Sequence, residues 1–269
     1  MAAAQEECSV FGDPDLNLCG NNCEFTTDFR LEDCKFKARG ANPFFILKPG
    51  YRVVLESDEE MSVETVLCET KKIKLDGRRI RTRVVEERAL EWDEEDEGWV
   101  TIEISRNYFA ICKKTNAVYY FGELSRDCPD GFNENDICKG EESNEGSWEA
   151  GVNGALPGLI MPGTPLLGAK YFQELAPLDT AVDRGEVVAT GQEWDQWAGC
   201  IEIHDTNPTE EDGCGDEDVK IYCPGVGLVQ DQELELVWQG FVGCGPHDDD
   251  DDDDEDEDDD KDKDHKGRD

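Results

Sequence analysis

Residues 63–92 read VETVLCETKKIKLDGRRIRTRVVEERALEW. Two long alternating runs flank a two-residue Asp76-Gly77 step. A turn of that length between strands is a type I′ hairpin turn, which needs positive φ at both centres, and Asp-Gly supplies it. Turn length also fixes the register. Leu75 faces Arg78, Lys74 faces Arg79 and Lys72 faces Arg81.

Strands extend outward from this hairpin in both directions. Upstream, ANPFFILKPGYRVVLE (41–56) reads as an aromatic strand, a Pro49-Gly50 turn and a second strand. Downstream, GWVTIEISRNYFAIC (98–112) places Val100, Ile102 and Ile104 on one face and Thr101, Glu103 and Ser105 on the other. A turn at 113–116 and a returning strand at 117–123 follow. Residues 124–150 read as an acidic, cysteine-bearing loop. Residues 151–169 are rich in Gly and Pro yet apolar, and read as a packed, non-regular crossing. Further strands fall at about 169–175, 185–190, 199–204, 218–223, 226–230 and 233–239. Helical periodicity is almost absent. So many short antiparallel strands curl or close. The expected fold is all-β: an antiparallel meander forming a barrel-like or half-barrel sheet. Three segments are expected: a Cys-rich arm (1–40), a β domain (41–246) and a disordered acidic tail (247–269).

The 269 residues carry 66 Asp and Glu against 26 Lys and Arg, a net charge of −40. Thirteen consecutive carboxylates occupy 248–260. Even so, the chain before residue 248 keeps 50 acids and 22 bases, a net of −28. This charge excludes a nucleic-acid binder and disfavours anionic membranes. No apolar run is long enough for a transmembrane segment. The favoured partners are divalent cations or basic surfaces. Twelve cysteines spread along the folded part, with few His, read as disulfides in an oxidising compartment rather than as zinc ligands. Secretion is therefore expected. The opening MAAAQEEC has no signal-peptide character, so a leader is expected to be absent from this chain.

Five blocks carry a family resemblance: NPFFILKPGYRVVLE (42–56), ETKKIKLDGRRIRTRVVEER (69–88), SRNYFAICKKTNAVYYFGE (105–123), EGSWEAGVNGALPGLIMPGTPLLGAKYFQE (145–174) and IYCPGVGLVQD (221–231). In this order they resemble a family of uncharacterised secreted bacterial β-rich proteins. The resemblance covers roughly 34–238. It implies a secreted β domain and no activity. The Cys-rich arm and the acidic tail depart from it.

Several constellations are candidates for function. Asp13, Asp15, Asn17 and Glu24 are spaced like ligands of a Ca²⁺ loop, although Leu18 stands where the sharp turn wants Gly. Asp212, Asp216 and Asp218 gather around Cys214. No cofactor is evident, Ca²⁺ being the one ion these loops suit. Lys72, Lys74, Arg79, Arg81 and Arg83 share one hairpin face and form a candidate anion-binding surface. An acid-rich segment (57–60, 93–97 or the tail) or an external anion should cover it. Were the sheet to close round a ligand, Phe44, Phe45, Tyr51, Trp99, Tyr119, Phe121, Tyr171 and Trp238 are the aromatics that could line the cavity. Trp148-Glu149 and Trp194-Asp195-Gln196-Trp197 set acids beside aromatics, as a carbohydrate-active protein would. No catalytic motif occurs, and His204 reads as a surface residue.

Three readings follow. The first is a secreted, non-catalytic binding or structural protein whose acidic surface and tail associate with Ca²⁺ or basic surfaces. The second is a barrel enclosing an apolar small molecule, as a carrier or as an enzyme acting on it. The third is a carbohydrate-active protein.

Overall fold

A computed structural model describes residues 24–95, 97–179, 181–209 and 218–244. Asp76 and Gly77 both have positive φ, 49° and 76°, and the Leu75–Arg78, Lys74–Arg79 and Lys72–Arg81 pairs form as the turn requires. The hairpin joins β5 (Glu60–Leu75) to β6 (Arg78–Asp93). Before it, β4 (Tyr51–Glu56) pairs with β5. After it come β7 (Gly98–Cys112) and β8 (Val118–Leu124), each antiparallel to its predecessor. The second half of the chain repeats the meander with β13 (Arg184–Trp194), β14 (Trp197–Thr206), β15 (Asp218–Cys223), β16 (Gly227–Asp231) and β17 (Leu234–Phe241).

Two seams turn this sheet into a barrel. At the first, β17 pairs with β4, which joins the two meanders. At the second, a short stretch of chain serves both edges. Its first part, β11 (Lys170–Phe172), pairs with β13, and its second part, β12 (Glu174–Leu175), pairs with β10 (Leu156–Met161). In turn β10 pairs with β8. The crossing segment at 151–169 therefore contains a strand. Pro157 and Pro162 hid it, because they sit at its ends, where fewer ladder bonds are lost.

The arm before β4 closes one end of the barrel. It contains β1 (Phe36–Lys37), which pairs with β7, and a small hairpin of β2 (Gly40–Asn42) and β3 (Phe45–Leu47). The arm is tied on three sides. Arg83 Nε donates to the Ala38 carbonyl (2.9 Å). Asn42 Nδ2 donates to the carbonyls of Asn116 and Pro162 (2.9 Å each). Gly225 N donates to the Pro43 carbonyl (2.7 Å). Phe44, Phe45 and Ile46 thereby become a floor inside the barrel. Phe36 packs edge-on against Tyr119 and Phe121, covering the outer surface of β8.

Four disulfides occur among the described residues: Cys34–Cys112, Cys68–Cys244, Cys128–Cys138 and Cys200–Cys223. The first fastens the arm to β7. The third closes the acidic loop, whose Phe132 and Cys128 pack on Ile104. No helix of the described residues is long and apolar enough to cross a membrane. A short strand, β9 (Trp148–Glu149), lies against Gly122 of β8. Any Cβ at Gly122 would collide with the Trp148 carbonyl, so only glycine lets these backbones meet.

Candidate functional site

The barrel holds a cavity of about 470 Å³ that is partly open to solvent. Its lining follows from strand alternation, with one inversion. On β7 the inward residues are Glu103, Ser105, Asn107 and Phe109. Ile104, on the opposite face, is buried outside the barrel beneath the 128–138 disulfide loop. The polar face of this strand therefore points inward, and the apolar face is covered from outside.

Neighbouring strands continue the pattern. On β5 and β6, Glu64 and Glu87 face inward beside Val66 and Val85. Ladder pairing sets Val66 opposite Val85 and Glu64 opposite Glu87, so the wall divides into an apolar level and an acidic level. Phe44, Phe45, Phe109 and Leu228 extend the apolar level. From the other wall come Asp205, Asp218 and Asp231, and from the closing segment Glu174 and Asp183. Glu123 of β8 completes the acidic set. Lys220 is the only Lys or Arg among the lining residues.

So many carboxylates crowded round one cavity cannot all ionise freely, because burial and mutual repulsion favour the protonated form. Burial, then Glu87 and Asp231, push Glu64 up to about 8, with Lys220 opposing. Glu87 is raised too, first by burial, while Lys220 and the Ser62 hydroxyl (3.2 Å) hold it back. Burial lifts Glu123 to about 7 against the Tyr120 hydroxyl. Asp205 reaches about 6 through burial, restrained by Lys220 and by Gln173, whose Nε2 donates to Oδ1 at 2.8 Å. Glu174, with the indole N–H of Trp148 at 3.2 Å, is raised well above the carboxylate range by burial, Asp183 and Glu123. Burial works against the charged form of Lys220. Asp231 and Asp205, with oxygens at 3.6 and 3.3 Å, nevertheless hold it protonated well above the usual range.

Tyr120 shows how protons are placed. Its hydroxyl lies 2.6 Å from Asn107 Oδ1 and 2.8 Å from Glu123 Oε2. One hydroxyl has one proton to give. A protonated Glu123 donating to Tyr120, which donates on to Asn107, satisfies all three.

The aromatics foreseen as lining divide into two groups. Phe44, Phe45 and Tyr51 line the cavity; Trp99, Tyr119, Phe121, Tyr171 and Trp238 do not. Tyr119 and Phe121 flank the inward Tyr120 and so point outward beneath the arm, with Tyr119 accepting Phe29 and Phe36 edge-on. Trp99 pairs with Trp92 at the far end of the β6–β7 hairpin (5.3 Å between centroids). Tyr171 is buried in the core at the seam, and Trp238 is exposed on β17.

The remaining candidates scatter. Lys72, Lys74, Arg79 and Arg81 share one exposed face. Arg83 leaves that face and is buried. It takes the Ala38 carbonyl and the carbonyls of Leu67 and Cys68 (3.4 and 2.7 Å), which the bulge in β5 frees from the ladder. The described residues of the acid segments 57–60 and 93–97 lie at the opposite end of this hairpin, where Glu60 pairs with Glu91, so they do not cover the basic face. Of the Ca²⁺ candidates, Asp13, Asp15, Asn17, Asp212 and Asp216 lie outside the described residues, as do the tail and four of the cysteines. Glu24 forms an ion pair with Lys170 (3.1 Å), and Asp218 lines the cavity. Among the described residues no group of three or more His, Cys, Asp or Glu is arranged to hold a metal ion. Of the carbohydrate candidates, Trp148 is buried against Glu174, Glu149 pairs with Lys71 (2.7 Å), and Trp194 and Trp197 pack over the Cys200–Cys223 cluster.

The acids at 64, 87, 103 and 123 were not foreseen as a site, because polar positions on an alternating strand are ordinarily read as solvent-facing. A cysteine-closed loop long enough to cover the apolar face of 98–104 was the available signal. No protein-family model, curated protein or solved structure matches the chain.

Proposed function

We propose that the protein is an extracellular, non-catalytic binding barrel whose cavity takes a small molecule with an apolar body and a cationic group. The observation that carries this reading is the two-level cavity: aromatic and aliphatic side chains at the floor, carboxylates above. Its volume, about 470 Å³, falls within the usual range for small-molecule sites. An apolar ligand lacking charge would leave the acids facing it unpaired, at a desolvation cost. An ammonium placed among them exchanges repulsion for attraction. The disulfides and the acidic exterior suit an oxidising, extracellular setting. The lining includes no His or Cys, and its hydroxyl–carboxylate contacts, Ser105 to Glu103 (2.7 Å) and Tyr120 to Glu123 (2.8 Å), we read as holding the acidic wall in place, which favours a carrier or sensor.

Fluorescence of Trp148, which touches the lining acid Glu174, offers a test. The protein is titrated at pH 8 with medium-chain alkylammonium, alkanol and alkanoate series. Saturable quenching or enhancement by the ammonium alone, improving with chain length, is expected. Equal response to the alkanol, or preference for the alkanoate, overturns the cationic part. Absence of any saturable response overturns the binding reading.

A further inference from the structure

The tip of the β5–β6 hairpin is cationic in a chain of net charge −40. Its six cations fall into two groups. Lys71 is held by Glu149 and sits over the Tyr108 ring (4.0 Å), and Arg78 donates to the carbonyls of Leu31 and Cys34. Lys72, Lys74, Arg79 and Arg81 instead point together to the exposed side, in two directly opposed like-charged pairs. Among the described residues nothing forms an ion pair with these four. Opposed like charges on a ladder destabilise it unless an anion lies across them.

A second observation says which anion. Cys68, four residues before Lys72 on the same strand, is bonded to Cys244. Val242 N also donates to the Gly50 carbonyl, and Gly50 N to the Val66 carbonyl, fixing the end of the described chain to β5. The thirteen carboxylates at 248–260 begin four residues after Cys244. Extended chain spans roughly 3.3–3.6 Å per residue, so four residues carry the first carboxylate about as far from the disulfide as Lys72 stands. Tethering at such a distance gives an effective concentration in the millimolar range.

We infer that the acidic run 248–260 of the same chain lies along the Lys72/Lys74/Arg79/Arg81 face of the β5–β6 hairpin. The Cys68–Cys244 bridge delivers it there, and its excess charge masks this cationic surface. Whatever neutralises the run, a divalent cation or high salt, then uncovers that surface for anionic partners.

Acetylation rates of Lys72 and Lys74, read by peptide mass spectrometry, test this. Three proteins are compared: the full chain, a chain ended after His247, and a full-length chain with the acids of 248–254 replaced by Asn. The cut falls beyond Cys244 and leaves the bridge intact. At 20 mM salt, labelling in the full chain is expected to be at least fivefold slower than in either variant. The difference should vanish at 1 M salt, where the screening length is about 3 Å. Equal rates in all three proteins at low salt, fast or slow, overturn the inference. Protection that grows with protein concentration also overturns it, since that assigns the anion to a second copy.

Discussion

Glu64 and Glu87 stand directly opposite one another on neighbouring strands, both facing the cavity. An antiparallel ladder ordinarily avoids like charges at such a pair. Here the pair is retained inside the barrel, where burial raises both carboxyls and the Glu87 charge helps push Glu64 up to about 8. A binding site for a cation gains from such an arrangement what the empty fold loses.

Glu64→Gln removes the repulsion and keeps the shape. At pH 8 the variant should gain about 1 kcal/mol, the order of one opposed like-charged pair. For a domain of this size that is roughly 2–4 °C in Tm by calorimetry. A destabilised variant would mean that the Glu64 carboxylate makes a stabilising contact of its own.

The pH dependence has a definite sign. Glu64, Glu123 and Asp205 bind protons more tightly when folded, to about 8, 7 and 6. Their contribution is fully present below the unfolded carboxylate range near ~4 and is lost as pH rises through those values. Asp136 acts oppositely. Its hydrogen bonds to Arg88 lower its pKa, so its contribution is present above the unfolded value and disappears as acid protonates it. Urea midpoints should therefore peak at pH ~4 and fall toward pH 8, and Glu64→Gln should flatten the fall. A midpoint that rises from pH 5 to 8 would contradict the buried-acid account.

Arg83→Leu tests the closed end of the barrel. It strips the donor from the carbonyls of Ala38, Leu67 and Cys68. Loss of buried charged hydrogen bonds should cost about 2–3 kcal/mol. Hydrogen exchange should quicken at residues 38–47 before it does on β14 and β15. Uniform quickening would place Arg83 in the global core rather than at the plug.

Replacing both Cys128 and Cys138 by Ser opens a short loop, the two cysteines being ten residues apart. Loop-closure entropy puts the loss at about 2–3 kcal/mol. The more telling readout is local, since this loop covers Ile104 and keeps β7 turned with Glu103 inward. Binding of an alkylammonium ligand should weaken along with stability. Unchanged affinity would show that the loop is dispensable to the acidic wall.

Most of the strands were legible in the sequence because each rests on local chemistry; that so many of them curl or close followed, but whether the sheet closes round a cavity did not. Asp76-Gly77 dictates a hairpin and its register, and alternation at 98–112 dictates a strand. The hidden strand at 156–161 was not legible, since Pro157 and Gly158 speak against one until β8 and β12 are seen on either side. The cavity was illegible for a different reason. Alternation tells which residues share a face but not which face meets water. Glu103 points inward only because a loop some thirty residues on covers Ile104, and Tyr119 points outward only because the arm covers it. Both are consequences of distant chain, and no window around 103 or 119 contains them.

The acidic level of the cavity should bind a cation attached to an apolar body. Calorimetric titration with decyltrimethylammonium at pH 8 tests it most directly, with the parent protein compared to the Glu64→Gln/Glu87→Gln variant. Saturable one-to-one binding to the parent is predicted, weaker by at least tenfold, about 1.4 kcal/mol, in the variant. Absence of saturable heat with the parent, or equal affinity in the two proteins, would contradict it.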